Sequence, residues 1–181
     1  VLEHYRGRVY GWDVVNEAIE DDGTLRKSRF QEIIGDDWIV EAFKIAQEEL
    51  PSQVELYYND YNMPMEVKRQ RIIKLIEEIK AAGARVDGIG VQCHWSLEWP
   101  SLELAEKTIK ELSQTGADIH ISEMDITVLP WPYKIPQGSD INDYPQFQDE
   151  FNPYRNGLPR EVELRQGQRY RDLFQLFVKY S

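Results

Sequence analysis

Residues 54–94, VELYYNDYNMPMEVKRQRIIKLIEEIKAAGARVDGIGVQCH, hold the repeating unit that decides the fold. The run VELYYND (54–60) is rich in β-branched and aromatic residues and reads as a strand. After Pro64, Ile72, Leu75, Ile76 and Ile79 fall on one face of a helix. Gly83 then suits the left-handed position that follows a helix C-terminus. VDGIGVQCH (86–94) reads as the next strand.

The same alternation extends in both directions. Upstream, RVYGWDVV (8–15) is strand-like, and Ile39, Ala42, Phe43, Ala46 and Leu50 recur at helical spacing until Pro51. Downstream, Pro100 and Ser101 open a helix carrying Leu102, Ala105, Ile109 and Leu112, and Gly116 closes it before the strand ADIHISEMDI (117–126). A last helix near 160–180 groups Tyr170, Leu173, Phe174 and Phe177. The order βαβαβαβα predicts an α/β fold with parallel strands and right-handed crossovers. Residues 127–158 break the rhythm, being rich in Pro, aromatic and polar residues without period. A connection that long is usually a functional loop or a disordered segment.

Composition narrows the function. With 181 residues, 41% hydrophobic and 29% charged, the chain suits one globular domain. No apolar run approaches the roughly 20 residues of a membrane span, and no basic-then-apolar leader opens the sequence. It starts on Val1 rather than Met, which suggests a processed or truncated chain. A net charge of -11 argues against nucleic acid, whose phosphates need Lys and Arg. Cys93 is alone, so neither an intrachain disulfide nor a thiolate cluster can form, and His4, His94 and His120 lack metal-ligand spacing. No cofactor or metal is expected.

The polar residues fall in a pattern. Glu17 ends the first strand, Asn59 the second, Gln92 and His94 the third, and Glu123 and Asp125 the fourth. All lie at carboxyl ends, the edge where parallel α/β sheets and barrels bind ligands. Period-2 geometry places Asp13, Val15 and Glu17 on one face, likewise Gln92 with His94 and Glu123 with Asp125, while Cys93 and Met124 face the helices. Taken singly, these residues have plain readings. Glu17 could be a helix-start carboxylate, His94 a core histidine with Asp125 as its partner, and Asn59 a turn cap. Glu123, however, sits in an apolar strand where an unpaired charge is costly. Two carboxylates at one edge, beside His, Asn and Gln, are the apparatus of glycoside hydrolysis. The acid of such a pair needs a raised pKa and the nucleophile a lowered one.

The motifs WDVVNEA (12–18), YYNDYN (57–62), GVQCHW (90–95) and ISEMDI (121–126), in that order and spacing, resemble successive strand-end motifs of family 10 glycoside hydrolases, the (β/α)8-barrel (TIM-barrel) endo-β-1,4-xylanases. The resemblance implies that Glu17 is the acid/base and Glu123 the nucleophile of a retaining double displacement, with carboxyl groups about 5–5.5 Å apart. It implies that Asn16 binds the 2-hydroxyl of the cleaved sugar and that Gln92 helps hold that sugar and the nucleophile. It also implies that His94 bridges Glu123 and Asp125. Asn59, Tyr61, Trp95 and Trp99 are candidates for leaving-group-side contacts, or for local packing. Trp131, Tyr133, Tyr144, Phe147, Phe151 and Tyr154 of the long loop either extend a cleft or form a small core of their own, and the latter is favoured.

The resemblance spans nearly the whole chain, but the chain supplies only about four βα units, corresponding to the fourth to seventh of eight. The implied partners are xylan or xylo-oligosaccharides and the remainder of the barrel, with no nucleic acid and no membrane. The isolated chain is expected to be weakly active or inactive, and secretion is implied by a polymeric substrate. Another retaining barrel glycosidase, a cellulase or mannanase, shares the Asn-Glu pair, although Gln92-Cys93-His94 and Glu123-Met124-Asp125 fit the xylanases better. A non-catalytic sugar-binding module also stays open. A phosphate-binding barrel is disfavoured, since no Gly-rich phosphate loop appears and the charge is negative.

Overall fold

Among the residues that the computed structural model describes (1–130, 143–147 and 151–181), strands and helices alternate as the sequence pattern requires. A short helix α1 (Leu2–Tyr5) precedes β1 (Gly11–Asn16), α2 (Arg29–Ile34), α3 (Trp38–Glu49), β2 (Glu55–Asp60), α4 (Glu66–Ala81) and β3 (Gly88–Val91). There follow β4 (His94–Ser96), α5 (Leu102–Ser113), β5 (Asp118–Ile121), β6 (Asp125–Thr127), a 3-10 turn at Pro145–Phe147, and α6 (Arg160–Lys179). Helices α1 and α2 are absent from the periodicity reading for a physical reason. Neither buries a residue, so neither carries an apolar stripe, and α2 starts instead on its cap, where Ser28 accepts from the Gln31 amide.

The chain divides into two compact units, Val1–Cys93 with Glu103–Met124, and His94–Leu102 with Asp125–Ser181. In the first, β1, β2, β3 and β5 form one all-parallel sheet in that order. Helix α3 packs against β1 and β2 through Ile39, Phe43 and Ala46, and α4 contributes Ile72, Leu75, Ile76 and Ile79 to the core. Every residue of β3, and all of β2 after Glu55, is buried, as parallel strands covered on both faces are.

In the second unit, β4 and β6 pair in parallel, with His94 opposite Asp125 and Trp95 opposite Ile126. Helix α6 packs on β6, where Ile126 donates its amide to the Tyr170 hydroxyl and accepts from the Gln166 amide. Of the four aromatic and aliphatic residues expected to group on α6, Leu173 is buried while Phe174 is 55% exposed.

Two strand readings need correction. The stretches 86–94 and 117–126 each hold two short strands, not one. The first breaks at Cys93, which is buried with φ +56, a left-handed value that a side chain seldom adopts and that no strand can continue through. The face assignments fail for a related reason. Between Asp13 and Val15 the β1–β2 register slips, a bulge at Val14, so Val15 is buried while Asp13 is exposed. Gln92 and His94 lie on either side of the Cys93 turn, and Glu123 lies between β5 and β6 rather than inside an apolar strand.

The first unit is also tied together by charge. Lys68, on the first turn of α4, has no exposed side-chain surface and places Nζ 2.8 Å from Asp60 Oδ1, itself fully buried. Asp60 also accepts from the Tyr58 hydroxyl, from the Tyr61 amide and from the Ile19 amide. Removing one partner of a buried pair strands the other charge. Lys68→Met is therefore expected to lower the unfolding free energy by about 3–5 kcal/mol, with Asp60→Asn in the same chain recovering much of it. Chemical denaturation of the complete protein checks this, and a loss below about 1 kcal/mol would show that Asp60 does not rely on Lys68.

Candidate active site

Asn59 is the last residue of β2 but one, and its side chain is 1% exposed. Its Nδ2 donates to Asn16 Oδ1 at 2.9 Å and to Glu123 Oε1 at 2.8 Å, while its Oδ1 accepts from the Ser122 hydroxyl at 2.7 Å. One amide thus joins the ends of three strands, β1, β2 and β5. Gly90 makes room for it, since a Cβ there would lie 2.2 Å from Asn59 Oδ1. The neighbouring register position repeats the device: a Cβ at Gly88 would meet the Tyr57 ring at 2.3 Å.

Glu17 follows β1 with φ +55, which turns it out of the strand's alternation. Gln92, 2% exposed at the end of β3, donates through Nε2 to Glu17 Oε1 at 3.0 Å and to Asn16 Oδ1 at 3.3 Å. The two carboxylates are therefore linked at the same sheet edge by a run of hydrogen bonds, Glu17–Gln92–Asn16–Asn59–Glu123. Glu17 Oε2 is held by Arg26, whose Nη1 stands 2.9 Å away. Burial acts to raise the Glu17 pKa, but the hydrogen bonds from Gln92 and Arg26 and the Arg26 charge prevail and hold it below the ordinary carboxylate value. The raised pKa expected for the acid of the pair is thus not present here. Asp13 shows the opposite balance: although its side chain reaches solvent, partial desolvation by the surrounding protein pushes it up, with His120 opposing and Glu123 adding to the rise.

The candidate residues separate into three groups. Asn16, Glu17, Asn59, Gln92 and Glu123 come together as described. The partners differ from those implied for two of them: Gln92 donates to Glu17 and Asn16, and Asn59, placed among the leaving-group contacts, is a donor to Glu123. Tyr61 is half-buried beside Arg26, whose Nη2 donates to its hydroxyl at 2.6 Å.

In the second unit, His94 Nδ1 and Asp125 Oδ2 lie 2.5 Å apart, so Asp125 is one partner of the histidine, as the resemblance implied. Trp95 is 3% exposed and packs 6.2 Å, centroid to centroid, from Phe177, which makes it a core residue and not a platform. Trp99 is half-buried and donates its amide to the Ser96 hydroxyl. Of the loop aromatics, Phe151 is buried and Tyr144, Phe147 and Tyr154 are half-buried, while Trp131 and Tyr133 lie outside the described residues. Among the described residues no group of His, Cys, Asp or Glu is arranged to hold a metal ion.

Arg26 and Ser122 were missed by pattern reading. A usable signal for Arg26 lies in DDGTL (21–25), a turn by composition. Asp22 accepts from the Thr24 amide and hydroxyl, Ile19 bridges Leu25, and Arg26 donates its amide to the Ala18 carbonyl, which brings the chain back to Glu17. Nothing in the periodicity of the fourth strand marks Ser122.

Comparison with known proteins follows the same lines. The family model described as "Glycosyl hydrolase family 10" matches residues 1–181. Endo-1,4-beta-xylanase A of Xylanibacter ruminicola is 42% identical over 180 residues, covering 99% of this chain and 48% of that protein. The solved structure of a GH10 endoxylanase retrieved from a sugarcane soil metagenome superposes with a TM-score of 0.86 at 39% identity, over 99% of this chain and 49% of the other. A mutant structure in complex with xylotriose gives a TM-score of 0.79 at 32% identity, over 98% and 49% of the two chains. The chain therefore spans about half the length of the relatives it matches.

The glycines under Tyr57 and Asn59 give a direct check. Gly88→Ala drives a Cβ into a ring backed by His120, whose centroid is 5.2 Å away, and is expected to cost about 1–3 kcal/mol. Gly90→Ala displaces an amide held by three hydrogen bonds, so it is expected to cost a comparable amount and to shift the Asn59 side-chain amide signals in an NMR spectrum. Unmoved Asn59 signals in Gly90→Ala would refute the packing account.

Proposed function

The chain belongs to glycosyl hydrolase family 10, and we propose that in the complete protein Glu17 and Glu123 carry out retaining hydrolysis of internal β-1,4-xylosidic bonds. The observation that carries this reading is the placement of both carboxylates at one sheet edge, cross-linked by the amides of Asn16, Asn59 and Gln92. Glu123, oriented by Asn59, attacks the anomeric carbon and forms a glycosyl ester as the bond to the departing sugar oxygen breaks. Glu17 gives that oxygen its proton. Water then enters, loses a proton to Glu17 and displaces Glu123, so the sugar leaves with its configuration retained. Asn16 sits between the two carboxylates, where it can bond a sugar hydroxyl more strongly as the oxocarbenium-like state develops.

The substrate assignment rests on the relatives, of which the Xylanibacter ruminicola enzyme and the metagenomic GH10 endoxylanase carry roughly twice this length. Further βα units that complete a barrel around the sheet belong to the same proposal. They would pair with β1 and β5, the outer strands of the four-stranded sheet among the described residues, since unpaired parallel edges invite association.

Three outcomes are expected. In the complete protein, Glu123→Gln reduces xylan hydrolysis to background, and retained turnover would overturn its assignment. Glu17→Ala slows xylan by at least about a hundredfold while largely sparing the first step on aryl xylosides with activated leaving groups, which need no proton. The 181 residues alone release few reducing ends from xylan, cellulose or mannan, and robust xylo-oligosaccharide release by them would refute the need for a completed barrel.

A further inference from the structure

Arg26 has more partners than a surface arginine needs. Its Nη1 lies 2.9 Å from Glu17 Oε2, its Nε 3.0 Å from Glu20 Oε1, and its Nη2 2.6 Å from the Tyr61 hydroxyl. Three acceptors on two chain segments occupy both edges of one planar guanidinium, an arrangement that fixes its plane. Tyr61 is itself fixed, because the Lys68 ammonium sits over its ring 3.6 Å from the centroid, and Lys68 is pinned to Asp60. The Arg26 backbone is fixed by its amide bond to Ala18. A rigid train therefore runs from the buried Asp60–Lys68 pair through Tyr61 and Arg26 to the carboxylate of Glu17.

We propose that Arg26 is a positioning residue for Glu17, clamping its Oε2 so that the carboxyl must exchange this cation for a proton before it can act as an acid. The proposal rests on the reading of Glu17 as the acid/base. Gln92 occupies Oε1, so with Arg26 on Oε2 both oxygens of Glu17 are engaged by donors. The charged and titratable groups around the cluster are Glu20 and Asp21 from the same loop, Asp60 and Tyr61 from the end of β2, Lys68 from α4, and Glu123 after β5, which is joined to Glu17 through Asn59, Asn16 and Gln92. Among the described residues Arg26 is the cation that touches Glu17 directly, and with the Gln92 hydrogen bond it opposes protonation, in the direction that the lowered Glu17 pKa already shows.

The sign is fixed by the chemistry. An acid catalyst works in its protonated form, so kcat/KM for a substrate that needs the proton falls as pH rises through the free-enzyme pKa of Glu17. Removing the adjacent cation raises that pKa and moves the fall to higher pH. In the complete protein, the side-chain carboxyl of Glu17 is followed by 13C NMR, its signal assigned by its loss in Glu17→Gln. Arg26→Gln is expected to raise its titration midpoint by about 1 pH unit. Arg26→Lys, which keeps the charge but not the fork, should raise it less and guards against misfolding of the neutral variant.

The alkaline limb of kcat/KM on an aryl xylobioside with a poor leaving group should move in the same order. For an activated leaving group that limb should not move. A Glu17 midpoint unchanged in Arg26→Gln overturns the proposal, and so does a midpoint that rises while the alkaline limb stays in place. If Glu17→Ala impairs activated and unactivated substrates alike, the acid/base reading itself has failed, whatever the NMR midpoint does.

Discussion

The ion pair between Asp60 and Lys68, with neither side chain exposed, is the constraint on which the open end of the sheet depends. A pair this deep is held by geometry as much as by charge, because each ion stabilises only if its remaining hydrogen-bonding positions are filled. Asp60 fills them with the Tyr58 hydroxyl and the amides of Ile19 and Tyr61. Its position at the end of β2 fixes what its neighbours can do. Asn59, one residue earlier, faces the other side of the sheet and gathers Asn16, Ser122 and Glu123. Tyr61, one residue later, is drawn under the Lys68 ammonium and supports Arg26. Three consecutive residues therefore serve Glu123, the fold and Glu17 in turn.

The repeating βα order, the parallel pairing and the helix faces were legible because burial imposes period 3.6 on helices and leaves continuous apolar runs in covered strands. Ile72, Leu75, Ile76 and Ile79 are buried as read, and the gathering of Asn16, Glu17, Asn59, Gln92 and Glu123 follows from their positions at strand ends. Side-chain direction was not legible. It depends on the bulge at Val14 and on positive φ at Glu17 and Cys93, three local departures from strand geometry with no compositional mark. A glycine would have advertised such a turn; a glutamate and a cysteine do not. Their strain sits next to Asn16 and Gln92, where a strand that simply continued would carry the next side chains elsewhere.

Gly88 and Gly90 illustrate information that was present but readable only with coordinates. In a strand, glycine ordinarily signals a close approach by another group. Here the groups are named by the register, since Tyr57 pairs with Gly88 and Asn59 with Gly90. Each large inward side chain of β2 thus has an empty position beside it on β3. The same arrangement that lets Asn59 lean toward the ends of β1 and β5 would be closed by a single methyl group.

The lowered pKa of Glu17 looks at first opposed to its proposed work. A retaining cycle asks the same carboxyl to be an acid in the first half and a base in the second, and no single pKa is ideal for both. Burial alone would favour the acid half, and burial is indeed the largest influence on Glu17. Gln92 and Arg26 reverse its sign. Of these two, only Arg26 carries charge, and it lies nine residues along the chain from Glu17, whereas Gln92 is buried directly after β3. The division of labour that follows from the proposal is between a neutral donor that orients the carboxyl and a charged one that opposes its taking up a proton.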